Sequence, residues 1–214
     1  TIEREIAEKG RRPADFAILY RTNAQSRMIE ELLLRHSVSY KVVGGLKFYQ
    51  RKEVKDVIAY MRLLMNPADS IALERVANTP QRGIGDTTLE RWKAHALHEG
   101  VNPIRAASSL TPENAELREG KIKAIQGFTD LFERWQAHIE HTDGLPFSGL
   151  LQKIAHESGL LKSFEEEGKQ EALVRVENVQ ELFSVAQKYD ALDIHEAIPQ
   201  FLEEVALASD TDEL

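Results

Sequence analysis

Cysteine is absent from this 214-residue chain. Structural disulfides and thiolate chemistry are therefore excluded. No apolar run reaches the roughly 20 residues that a membrane-spanning helix needs, and no signal peptide stands at the front. The expected compartment is the cytoplasm, with no membrane partner. The phosphate loop G-x-x-x-x-G-K-S/T is missing as well, so the chain is not a complete nucleotide-driven engine. It begins at Thr1, without an initiator methionine, and stops at Leu214 inside an acidic stretch. A segment excised from a longer protein is the expectation.

Positive charge is in short supply overall, with a formal net charge of -8. Its distribution is uneven. Residues 1–100 hold 17 Lys and Arg against 13 Asp and Glu, whereas residues 161–214 hold 4 against 14. A polyanion should meet the first half, with the acidic end turned away from it. Two solvated faces would give the same counts.

Hydrophobic periodicity predicts a mainly α chain. Helices are expected over 1–9, 26–35, 52–65, 70–77, 86–99, 121–141, 146–157, 170–190 and 193–206. Phe16 to Tyr20 and Val38 to Val43 read as short strands on either side of the second helix. That strand–helix–strand is too small to be a domain. It is expected to be an α/β fragment at the N-terminus that completes a larger sheet. Residues from about 46 onward could fold around a core of their own.

The sharpest local feature is Asn78-Thr79-Pro80-Gln81-Arg82-Gly83-Ile84-Gly85-Asp86-Thr87-Thr88-Leu89. A helix ends, a tight turn follows, and two glycines lead into a new helix. Gly83 and Gly85 permit close approach of a phosphate, and the free amides of the helix start point at the anion. Ile84 can anchor the turn by burial. Arg82 and Lys93 add charge, and Thr87 adds a hydroxyl donor. Asp86 suits capping better than phosphate contact. A structural glycine turn between packed helices is the competing reading.

Two further clusters carry charge. Lys47-Phe48-Tyr49-Gln50-Arg51-Lys52, with Lys55 one turn on, interleaves basic and aromatic groups as a nucleic-acid strand requires. Equally, its rings could cover a core edge. Tyr20 to Arg27 offers Arg21, Asn23 and Arg27 at a helix start, or else an ordinary capped loop. His95/His98 and His138/His141 are helical pairs with no third ligand at a motif spacing, so no metal site is expected. Glu165 to Glu167 read as solvated, and Trp92 and Trp135 as core.

Taken together, Tyr20 to Arg27, Gly44 to Asp56 and Asn78 to Gly85 resemble, in order and spacing, the superfamily 1 bacterial DNA helicases related to UvrD, PcrA and Rep. That family has two motor domains, 1A and 2A, and two insertions, 1B and 2B. The resemblance implies that residues 1–43 are part of the RecA-like domain 2A and residues 44–214 most of the helical domain 2B. It implies strand contacts by Arg21, Asn23 and Arg27, and a junction block at Lys47, Arg51 and Lys52. It also implies a duplex-phosphate grip at Arg82, Gly83, Ile84, Gly85 and Thr87. The intact protein would use ATP and Mg2+ to unwind DNA with 3′-to-5′ polarity. Its partners would be a single-strand/double-strand junction, the rest of the motor and DNA repair proteins. This segment needs no cofactor of its own on that reading and should be inactive alone. The alternative is an autoregulatory or protein-interaction module with little affinity for DNA.

Overall fold

A computed structural model of the chain describes residues 2–20, 23–42, 47–141 and 144–210; for Asn23, Ala24, Arg27, Ser209 and Asp210 it describes the backbone only. Among the described residues twelve α-helices follow one another: α1 (Ile2–Lys9), α2 (Asn23–Arg35), α3 (Lys52–Met65), α4 (Ser70–Val76), α5 (Asp86–Glu99), α6 (Pro103–Ala106), α7 (Pro112–Ala115), α8 (Glu119–His141), α9 (Phe147–Glu157), α10 (Leu160–Glu167), α11 (Gln170–Ala186) and α12 (Ile194–Asp210).

The helix boundaries have local causes. Asp69 caps α4 by accepting from the Ala72 amide at 2.9 Å. Thr111 and Asn114 form a reciprocal capping box with Pro112 at the first helical position. Gly100, at φ +67°, ends α5 in the left-handed conformation that glycine adopts without a Cβ penalty.

The expected α/β fragment is not there. No strand forms among the described residues. Phe16 does adopt extended dihedrals, φ -115° and ψ 144°, but extension alone makes no strand. A strand exists only when its amides and carbonyls pair with a second backbone. The runs 16–20 and 38–42 do not pair with one another, and Val43 lies outside the described residues. Without a covering layer, Leu19 is 95% exposed.

Helix α3 is the centre of the molecule. Its sequence promises one apolar side, but burial extends around it and takes in Glu53, Asp56, Ala59, Tyr60 and Leu63 as well as the expected stripe. It is enclosed by α4, α8, α9, α11 and α12. Asp56 meets Arg75 of α4 at 2.8 Å. Burial raises the Asp56 pKa, and Arg75 opposes that shift.

Two aromatic clusters flank α3. Tyr60, Trp92, Phe128, Phe132 and Trp135 join α3, α5 and α8 through ring contacts of 5.1–6.3 Å. Phe147, Tyr189 and Phe201 join α9 to α12 at 5.0–5.9 Å. Aromatic pairs of this kind, edge-to-face, tilted or stacked, add about 0.5–1.5 kcal/mol each beyond area burial. The first cluster forms the floor beneath the turn between α4 and α5.

Candidate nucleic-acid interface

The turn from Asn78 to Gly85 is held from below. The Asn78 side chain closes it: its Oδ1 accepts from the Arg82 amide at 2.8 Å and from the Ile84 amide at 3.2 Å. A short side-chain amide of this sort substitutes for a backbone partner in a turn. Thr79-Pro80 is a cis peptide, and Pro80 packs beside Gly159 on the bend before α10, where φ +78° favours glycine. Gly83 takes φ +79°, a conformation costly for any residue with a Cβ. Ile84 is 2% exposed and anchors the turn in the core.

Arg82 points inward. Its guanidinium donates to the Tyr60 hydroxyl at 2.7 Å and to the carbonyls of Ser158 at 2.5 Å, Pro80 at 3.0 Å and Val76 at 3.3 Å. It also lies 5.4 Å from the Phe128 ring centroid. One side chain therefore joins α3, the end of α4, α8 and the end of α9. The Tyr60 hydroxyl in turn donates to the Thr79 carbonyl.

With Arg82 and Ile84 turned in, the solvent side of the turn is mainly backbone. Gly85 is exposed at the N-cap of α5 and contributes no capping side chain. Asp86 and Thr87 follow, both exposed. The 14-residue α5 thus presents an open amino end, where the helix dipole favours an anion. Lys121, at the start of α8, lies across the turn and donates to the Gly83 carbonyl at 2.7 Å. Lys93 lies further along α5 and is paired with Glu74.

The block from Lys47 to Lys52 divides between surface and core. Lys52 is exposed, and the Lys47 ammonium sits 5.0 Å from the Tyr40 ring centroid. Phe48 and Tyr49 are buried. Arg51 is only 6% exposed. It donates to Ser26 of α2 at 2.7 Å and to Asn178 of α11 at 2.8 Å. Asn178 donates onward to Glu53 at 2.5 Å. Desolvation lowers the Arg51 pKa, and Glu30 and Glu53 oppose that shift. The network ties α2 to the helical body.

In the first cluster, Arg21 lies outside the described residues, and Asn23 and Arg27 fall within α2, where only their backbone is described. The geometry therefore brings Gly83, Gly85, Thr87 and Lys121 together. It sets Lys47, Arg51 and Lys52 apart in a different part of the fold. Asn78, Tyr60 and Lys121 are the residues that sequence reasoning missed. An asparagine just ahead of a proline turn was a usable signal for the first. Nothing local marks Lys121, which stands far along the chain from the turn it reaches.

The whole chain, residues 1–214, matches the family described as the UvrD-like helicase C-terminal domain. The chain belongs to this family. It is 36% identical over 204 residues to the ATP-dependent DNA helicase PcrA of Bacillus subtilis, covering 95% of this chain and 27% of that protein. It is 35% identical over 218 residues to the ATP-dependent DNA helicase UvrD1 of Mycobacterium bovis, covering 94% and 27%. PcrA of Staphylococcus aureus is 34% identical over 206 residues, covering 95% and 28%. This UvrD-like chain thus spans roughly a quarter of the length of these curated relatives.

The family raises the question of ATP and Mg2+. Among the described residues no three His, Asp or Glu converge to hold a metal ion. A cavity of about 390 Å³ between α3 and α8 has two glutamates and no Lys or Arg in its wall. A triphosphate needs cations and a glycine-rich loop. The wall of this cavity therefore does not suit a triphosphate. His95, half of one histidine pair, is instead buried with Nε2 2.9 Å from the Ser109 hydroxyl. No described helix is long and apolar enough to cross a membrane.

Proposed function

We propose that this UvrD-like segment belongs to an ATP-dependent 3′-to-5′ DNA helicase and holds duplex DNA by its phosphates at a single-strand/double-strand junction. One observation carries the reading. The side chains of Arg82 and Ile84 turn into the core, so the exposed face of the turn offers backbone amides and the Thr87 hydroxyl. Such donors contact phosphate and read no base, so binding is indifferent to sequence. Lys121 adds positive charge beside Gly83. Arg82, Ile84 and Asn78 are supports that shape the surface, and Arg51 supports the junction in the same sense.

On this reading, residues 44–214 are the helical domain 2B and residues 1–43 the adjoining part of domain 2A. Arg21, Asn23 and Arg27 belong to the single-strand track, and Lys47 and Lys52 to the junction. ATP and Mg2+ act in the remainder of the motor, which lies in the cytoplasm with its repair partners.

The test is a salt titration of the full 214-residue chain against a labelled tailed duplex. The expected log–log slope is about -2 to -4, close to -0.9 per phosphate engaged. Scrambling the duplex sequence leaves affinity unchanged. A Thr87→Glu/Lys121→Glu variant binds about tenfold or more weakly, with unaltered circular dichroism. Equal binding by the variant and the parent would instead favour the autoregulatory reading, to which the exposed Asp86 and Glu90 beside the turn lend some support.

A further inference from the structure

We propose that Asp86 is a brake built into the phosphate-holding turn: its carboxylate stabilises the start of α5 while no ligand is bound, and it limits how tightly a phosphate is held there. This inference deepens the DNA reading above and rests on it. Gly85, not Asp86, is the N-cap of α5, and it brings no side chain to the free amides. Asp86 is the first helical residue and the acidic group of the first turn. It is exposed. A carboxylate at this end is favoured by the helix dipole. A phosphate brings charge of the same sign to the same end. Two anions at one helix start repel each other.

No cation offsets Asp86. Among the described residues its carboxylate accepts no hydrogen bond and forms no ion pair. The cations around it are engaged elsewhere. Arg82 turns into the core, Arg91 donates to the Glu116 carbonyl, and Lys93 pairs with Glu74. Lys121 is the informative case. It reaches the same turn, yet its ammonium donates to the Gly83 carbonyl at 2.7 Å. Among the described residues it forms no ion pair. A cation and an anion therefore stand on one turn without neutralising each other. Lys121 draws a phosphate in, and Asp86 opposes it.

The size of the opposition follows from exposure. Exposed charges several ångströms apart interact through a high effective dielectric, so the repulsion is on the order of a three- to tenfold change in affinity at low salt. It fades as ionic strength rises, because the screening length is only about 8 Å at physiological salt. A hold of this strength suits a contact that must release one phosphate before taking the next.

The experiment measures duplex affinity, by anisotropy with a labelled tailed duplex in EDTA, and melting temperature for the full 214-residue chain and three variants. Asp86→Asn removes the charge at nearly constant shape. It is expected to bind about three- to tenfold more tightly at low salt, with the gain closing as salt is added. Its melting temperature should fall by about 1–3 °C, because the helix start loses a favourable charge. Binding and stability then move in opposite directions, which a purely structural residue would not produce. Asp86→Glu keeps the charge and stays near the parent in both measurements. Glu90→Gln removes the same net charge one turn further along α5 and gains about twofold at most. The inference is overturned if the parent binds duplex and Asp86→Asn binds it equally or more weakly, or if Glu90→Gln gains as much as Asp86→Asn. Absence of binding by parent and variants alike would sink the DNA reading itself, and this inference with it.

Discussion

Arg82 donates a 2.7 Å hydrogen bond to the hydroxyl of Tyr60, and that bond seats the turn between α4 and α5 on the aromatic core. The same guanidinium satisfies three carbonyls at or near the ends of α4 and α9. Among the described residues the Ser158 and Pro80 carbonyls have no other donor, whereas the Val76 carbonyl also accepts from the Thr79 amide at 3.1 Å. The arginine is thus held by the fold's own unmet acceptors, which accounts for its facing away from solvent.

Replacing Arg82 should cost stability. Arg82→Ala leaves the Tyr60 hydroxyl and the Ser158, Pro80 and Val76 carbonyls without this donor, at about 2–4 kcal/mol. Arg82→Lys recovers only part, because an ammonium cannot span the four acceptors that a planar guanidinium reaches. Urea denaturation at neutral pH checks both. An unchanged midpoint in Arg82→Ala would show that the cluster contributes nothing.

Stability should fall between about pH 10 and 12 because of Tyr60. Burial pushes its phenol up from 10.0 to about 12, with Arg82 pulling the other way. The neutral phenol is therefore favoured in the folded state. Below pH 10 both states are protonated and the contribution is fully present. Between pH 10 and 12 the unfolded state loses its proton first, and stability drops by up to about 2–3 kcal/mol. In Tyr60→Phe the decline over that window should be shallower by a similar amount. Parallel declines in the two proteins would contradict this assignment.

Gly83 and Gly85 should not respond alike to alanine. Gly83 sits at φ +79°, where a Cβ costs about 1–2 kcal/mol. Gly85 has φ -78° and ψ 175°, and no heavy atom lies within 4 Å of an added Cβ. Gly85→Ala should therefore change the melting temperature little, because the reduced freedom of the unfolded chain is offset by the poorer N-cap that alanine makes. Thermal melts separate the two, and an equal loss in both would mean that the turn geometry is misassigned.

The Arg51 network should control the attachment of α2. Arg51→Ala removes the bonds to Ser26 and Asn178 and strips a cation from the vicinity of Glu30 and Glu53. Breaking a buried charged network by one partner costs about 3–5 kcal/mol. Hydrogen exchange should show α2 losing protection first, while α8 keeps its own. Uniform loss across the molecule would place the effect in the global core.

The sequence by itself determined most of the helices. α3 and α5 begin and end at their expected residues, and Gly100 and the Thr111-Pro112 cap act as their chemistry requires. These are local properties: periodicity, caps and breakers act within one or two turns. The glycine turn and the missing phosphate loop were legible for the same reason. Tertiary structure alone decided which arginines face solvent. Arg82 and Arg51 read as exposed cations, but their direction depends on carbonyl and amide oxygens brought in from remote helices, Ser158 for one and Asn178 for the other. It also decided that Phe16 to Tyr20 form no sheet, because a strand needs a second backbone and no property of its own residues supplies one.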